Sequence, residues 1–252
     1  MINHYQHKKN KILSVEVISK SQKILTISFK HSCAANQFYI LGFPGFGENT
    51  FYPINNFSTH KLHFLIQSNQ NSTLNNKLFS LDKNDDIYIR GPYYYDFNIN
   101  NIKNKKITFI ADNSGITCIQ GMLEYLCKHS LNNQIQLFYE VNKPEEVLFK
   151  KFLQSNKKYI ESLITIVSPN KNYRGNTGFI DKLITKNTIL KNPSVVICIS
   201  PDKQKKIFNK LLLLKTNTEN IHFLPLHPFH YTLGDNQSDH IFQKLFQLKT
   251  NH

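Results

Sequence analysis

The chain has 252 residues, 40% hydrophobic and 19% charged, with 12 Tyr, 19 Phe and no Trp, enough for one large domain or two ordinary ones with real apolar cores. Nine Gly and nine Pro exclude a collagen-like or low-complexity chain, and no apolar run approaches the ~18 residues of a membrane-spanning helix. The net charge of +14 is almost wholly lysine scattered along the chain, Arg90 and Arg174 being the only arginines; this does not mark a nucleic-acid reader, which favours the planar Arg fork, and leaves compositional drift or a basic surface for an acidic partner.

The first hundred residues read as strands. Residues 12–18 and 24–29 alternate apolar and polar positions and are rich in β-branched side chains, the period-2 mark of a half-buried strand. Residues 37–43, 51–54, 61–67 and 86–90 continue the pattern, with turn material such as Pro44-Gly45 between them and one short helix over 73–80. Short strands in this number predict a small antiparallel β-barrel.

The rhythm changes after residue 102. Residues 107–111 form an apolar run, and 115–128 carry Ile116, Ile119, Met122, Leu123 and Leu126 at helical spacing. A strand at 135–139 and a helix at 144–153, opened by Pro144, follow. Then come a strand at 163–167, a short helix at 179–185, a buried strand at 195–199, an amphipathic helix at 202–215 and a last strand at 221–224. Strand–helix alternation at this spacing builds a parallel sheet covered on both faces. The expectation is a two-domain chain: an antiparallel β-barrel over 1–102, an α/β parallel-sheet domain over 103–225 and a tail over 226–252.

Cys33, Cys118, Cys127 and Cys198 form no C-x-x-C pair, and Cys118 and Cys198 lie in apolar stretches where a buried free thiol is usual. His227 and His230 have no third ligand at local spacing, so neither a metal nor an iron–sulfur cluster is expected. The first ten residues lack the apolar stretch of a secretory signal, and a soluble cytoplasmic protein is the expectation.

That architecture, in that order, resembles the ferredoxin–NADP reductase superfamily, and the resemblance reaches individual residues over roughly residues 11–225. Asn36-Gln-Phe-Tyr-Ile40 is similar to the family's P-G-Q-F-V/I strand. Gly42-Phe-Pro-Gly-Phe-Gly-Glu48 and Ile89-Arg-Gly-Pro-Tyr93 resemble, in turn, a loop and the V-R-G-P-Y/L turn of one branch. That branch holds the electron-transfer subunits of dihydroorotate dehydrogenase and the related hydrogenase and sulfite reductase subunits. The resemblance implies a flavin on the barrel, FAD or else FMN, and a nicotinamide dinucleotide on the α/β half. It also implies electron transfer to an acceptor protein or catalytic subunit.

Thr50-Phe-Tyr-Pro-Ile54 stands where the family has R-x-Y-S. Tyr52 is retained as a stacking candidate or as an ordinary barrel residue, and Pro53 and Ile54 after it belong to the flavin contacts the resemblance implies. Ser72-Thr73 resembles the pyrophosphate-binding helix start and equally a plain N-cap. Arg90 and Gly91 complete the implied flavin set.

In the α/β half Ala111-Asp-Asn-Ser-Gly-Ile116 replaces A-G-G-T/I-G-I. Ser114, Gly115 and Ile116 are the implied dinucleotide contacts, and Asp112 is expected to repel a pyrophosphate, which makes NAD(P)H a weak ligand. Cys198-Ile-Ser-Pro201 resembles C-G-P-P, which implies Cys198 near the nicotinamide and Pro201 in its pocket; alone, Cys198 reads as a buried strand cysteine. Tyr139 and the stretch from Tyr173 through Arg174 to Phe179 also resemble family positions. The alternative to an enzyme is a degenerate relative that keeps the fold as a binding or assembly module.

Overall fold

The computed structural model describes residues 7–29, 37–54, 60–68, 72–94, 105–113, 115–129 and 134–224. The alternating segments of the first half become β1 (Lys8–Ser19), β2 (Gln22–Ser28), β3 (Gln37–Phe43), β4 (Gly47–Phe51), β5 (Lys61–Gln67) and β6 (Asp86–Tyr94). They pair antiparallel in the order β4-β3-β6-β1-β2-β5. Beyond β4, a bridge from Pro53 to Phe64 and the Ile54 N–H on the His63 carbonyl (2.8 Å) bring the two outer strands together and close the barrel. Inward positions such as Leu25, Ile27, Tyr39, Leu41, Leu62, Phe64, Ile87 and Ile89 fill it. The helix α1 (Thr73–Ser80) adds Leu74 and Leu78, one helical turn apart, to the same core.

The second half consists of β7 (Lys106–Asp112), α2 (Gly115–His129), β8 (Gln134–Val141), α3 (Lys150–Ser155), β9 (Ile160–Ile166) and β10 (Asn176–Thr177). It continues with α4 (Ile180–Leu183), β11 (Ser194–Cys198), α5 (Pro201–Leu213) and β12 (Ile221–Phe223). The strands are parallel in the order β10-β9-β8-β7-β11-β12. Phe109, Ala111, Leu137 and Tyr139 pack toward α2, whereas Ile110, Phe138, Val195 and Ile197 pack toward α4 and α5. Phe38, Tyr52 and Leu65 of the barrel join the α2-side cluster, so the two halves share a core.

Three local expectations shift. The helix expected over 144–153 divides into a 3-10 turn at Pro144–Glu146 and α3, because Phe149 adopts φ 56° and breaks the helical path while Leu148 is drawn into the core. The strand expected at 51–54 lies earlier, at Gly47–Phe51, since Pro53 has no N–H for a ladder and takes part in only an isolated bridge. β10 is two exposed polar residues and offers no hydropathy signal. The expected domain boundary at 102/103, Cys33 and the tail with His227 and His230 lie outside the described residues.

Candidate functional site

Register places one row of side chains across β4, β3 and β6: Thr50 opposite Ile40, and Ile40 opposite Arg90. A second row runs Glu48–Gly42–Tyr88. Residues paired in register share a face, and since Tyr39, Leu41 and Ile89 point inward, these rows lie on the outer face. Phe38 sits there too, with the Tyr93 ring stacked on it at 5.5 Å between centroids and Tyr52 at 6.0 Å.

Arg90 is fixed on this face. Its Nε donates to Glu48 Oε2 (3.2 Å), a terminal nitrogen donates to Glu48 Oε1, and the other donates to the Tyr93 hydroxyl (3.1 Å). His7 Nε2 lies 2.8 Å from the same Glu48 carboxylate. Beside them opens a hollow of about 310 Å³ lined by His7, Gly42, Phe43, Pro44, Glu48 and Tyr88. Gly91 adopts φ 120°, and a Cβ there would stand 3.2 Å from the Tyr39 ring and 3.3 Å from the Phe38 carbonyl, so both conformation and space require glycine.

Among the buried polar atoms without a partner are Thr50 Oγ1, on a residue only 4% exposed, and Asn75 Oδ1 in the first turn of α1. Ser72 Oγ accepts from the Asn75 N–H (3.2 Å), so Ser72 is the N-cap of α1, and Thr73 is its exposed first residue. Tyr52 is buried in the shared core. Pro53 has no N–H and the Ile54 N–H is held by His63, so neither offers a backbone donor to a ligand.

The parallel sheet has its switch point between β7 and β11, where strand order reverses and ligands of open α/β sheets bind at the carboxyl ends. Here Asp112 and Glu140, register partners at the ends of β7 and β8, face α4 and α5 side by side. Their side chains are 5% and 2% exposed, and Lys203 from the first turn of α5 reaches between them, 3.1 Å from Asp112 Oδ2 and 2.7 Å from Glu140 Oε1. Asp112 Oδ2 also accepts from Ser200 N (3.2 Å) and Ser200 Oγ (2.7 Å), and Glu140 Oε2 accepts from the Ile180 N–H (2.7 Å). Burial lowers the Lys203 pKa, but the hydrogen bond to Glu140 and the charges of both carboxylates outweigh it and leave the group raised. Asp112, the carboxylate expected to repel a pyrophosphate, is thus buried and paired.

Gly115 opens α2 so close to β11 that a Cβ would stand 2.0 Å from the Cys198 carbonyl oxygen. Ile116 is buried against the sheet, Pro201 is the first residue of α5, and Ser114 lies outside the described residues. Cys198 is fully buried; burial first, then the hydrogen bond with Cys118 and nearby charge, holds its thiol well above the ordinary range. Tyr139 donates to the Asn113 carbonyl (3.2 Å), and Arg174 is exposed on the loop after β9. Lys203, Glu140 and Glu48 were not singled out by the sequence reading. No local pattern marks the Asp112–Glu140–Lys203 group, because it depends on register across β7 and β8 and on a helix 91 positions further on.

No model of a known protein family matches the sequence. A solved ferredoxin–NADP reductase from Neisseria gonorrhoeae with bound FAD and NADP superposes over 87% of this chain and 98% of its own, at TM-score 0.74 and 19% identity. This chain has the ferredoxin–NADP reductase-like fold. The cytochrome b5 reductase domain of Ulva prolifera nitrate reductase gives TM-score 0.74 at 14% identity, over 88% of this chain and 99% of that domain. Among curated relatives, NADH-cytochrome b5 reductase 2-A of Vanderwaltozyma polyspora is 32% identical over 149 residues, 56% of this chain and 50% of the relative. Sulfhydrogenase 1 subunit gamma of Pyrococcus furiosus is 25% identical over 234 residues, 87% of this chain and 79% of the relative. The chain spans half or less of the first two curated relatives, 50% of the yeast protein and 37% of an Arabidopsis thaliana NADH-cytochrome b5 reductase-like protein.

Proposed function

We propose that this chain is a flavin-dependent electron-transfer protein, with FAD (FMN as the alternative) on the outer barrel face and a protein or catalytic subunit as electron acceptor. The observation that carries this reading is the row Thr50–Ile40–Arg90 beside Phe38, Tyr52 and Tyr93. A cation, an aromatic shelf and an unpartnered buried hydroxyl share one face. A flavin requires that donor set: a planar apolar ring, polar ring edges and an anionic phosphate chain. Tyr52 would lie against the ring, with Pro53 and Ile54 as apolar contacts at its edge. Arg90 would turn from Glu48, its partner here, to the phosphates, Gly91 would allow their close approach, and Ser72 with Thr73 would offer the start of α1.

Bound flavin supplies the exchange of a hydride or of single electrons. The chain's own residues bind and orient the ring and keep water from it through the cluster around Tyr52. Such transfer needs no acid–base residue. The acceptor is a protein of acidic surface, suited to the net charge of +14. The setting is the reducing cytoplasm, suited to free Cys118, Cys127 and Cys198; no helix among the described residues is long and apolar enough to cross a membrane. NAD(P)H is the weak ligand, because Asp112 and Asn113 stand in the turn where the family has glycines. One observation favours the second reading, a non-catalytic module: the paired charges at the switch point stand where a dinucleotide would lie.

The test is flavin affinity. Tyr52→Ala should weaken FAD binding by roughly 1–3 kcal/mol, the worth of a stacked aromatic, and Arg90→Ala should weaken it further. Affinity unchanged in Tyr52→Ala would remove the barrel face from the account.

A further inference from the structure

We infer that Asp112 fills the anion position between the starts of α2 and α5 and that Lys203 locks it there, so that the switch-point crevice is closed to NAD(P)H. The start of a helix at the carboxyl end of a parallel strand is where open α/β sheets seat a dinucleotide phosphate. In this chain that place already holds a carboxylate. Asp112 Oδ1 lies 3.2 Å from where a Cβ on Gly115, the first residue of α2, would stand. Asp112 Oδ2 is pinned from the other side by Ser200 N, Ser200 Oγ and Lys203 Nζ.

The lock is not easily opened. Lys203 also bonds Glu140 Oε1 at 2.7 Å, so drawing its ammonium toward an incoming phosphate would strand two buried carboxylates. One ammonium between two carboxylates leaves the crevice with a net negative charge, and Asn113 Oδ1 adds a buried acceptor with no partner. An anionic pyrophosphate meets a filled, electronegative site. Electrons then enter the flavin from a donor that need not occupy the crevice, such as a redox protein. That consequence rests on the flavin reading, whereas the closure does not.

The experiment is calorimetric titration of the full chain with NADH, NADPH and inorganic pyrophosphate, before and after loading with FAD. For the unmodified chain the expected dissociation constants lie above about 1 mM. Asp112→Gly, which vacates the anion position and leaves Lys203 paired with Glu140, should tighten all three ligands by about tenfold or more. Asp112→Asn, which keeps the size and the Ser200 contacts, should tighten them by less and serves if the glycine variant does not fold. Micromolar binding to the unmodified chain would overturn the closure, as would Lys203→Met weakening a measurable affinity, since Lys203 would then be a phosphate ligand. Flavin absorbance retained by the loaded protein is read separately. Its loss would end the flavin reading and leave the closure to the titration of unloaded protein.

Discussion

Lys203→Met should destabilise the protein far more than loss of a surface charge. Removing one partner of a buried ion pair costs about 3–5 kcal/mol, because the remaining charge stays buried and uncompensated. Lys203 itself is 25% exposed, and each carboxylate keeps other donors, Ser200 on Asp112 and the Ile180 N–H on Glu140. These retained bonds place the expected loss at the lower end, about 3 kcal/mol. For a chain of this length that is a fall in melting temperature of about 6–12 °C. Thermal unfolding at neutral pH reads it directly. The triple variant Lys203→Met, Asp112→Asn, Glu140→Gln should recover most of the loss, because the amides need no counter-charge. The alkaline limb gives an independent sign. The Lys203 pKa is raised above its ordinary 10.5, so its contribution is complete below 10.5 and is lost as pH rises through the raised value. Lys203→Met should abolish that part of the alkaline slope. A loss under about 1 kcal/mol, the range of an exposed pair, would refute the buried triad.

Gly115→Ala should cost about 3 kcal/mol or more, since the Cβ would stand 2.0 Å from a β11 carbonyl oxygen that cannot swing aside; a melting temperature near that of the unmodified chain would contradict the close packing. In native protein at about pH 8 the Cys198 thiol should resist a thiol reagent that reacts at once after unfolding, because burial keeps it protonated. Half-buried Cys127, pushed up to about 11, should also react slowly. Elemental analysis of untagged protein should find iron well below one per chain, because an iron–sulfur cluster needs converging thiolates or imidazoles. Stoichiometric iron would contradict that expectation.

Most of the barrel was legible because its signals are local. Gln37–Phe43, Lys61–Gln67 and Thr73–Ser80 stand where the alternation and the Ser72 cap put them. In the α/β half the apolar strands and the Ile116–Leu126 stripe marked the layers, whereas the strand order follows from pairing alone. What failed was settled by tertiary forces: Leu148 drawn into the core past a left-handed Phe149, and a two-residue β10 held by pairing alone. The site divides in the same way. Arg90 and Gly91 could be singled out because Ile89-Arg-Gly-Pro-Tyr93 is a contiguous stretch resembling a family turn, although β6 runs on through it to Tyr94. The environment of Asp112 could not, because Lys203 lies 91 positions further on and Glu140 joins it only through register across β7 and β8. A carboxylate in a loop reads as a repulsive charge until the fold supplies its partner.

Titration of the purified chain with FAD, followed by the perturbation of the flavin's visible spectrum, tests the central claim most directly. The account predicts saturable binding of one flavin per chain, weakened in Tyr52→Ala and in Arg90→Ala. An unperturbed spectrum up to high micromolar protein, with FAD and FMN alike, would contradict it and leave the fold serving as a module without electron transfer.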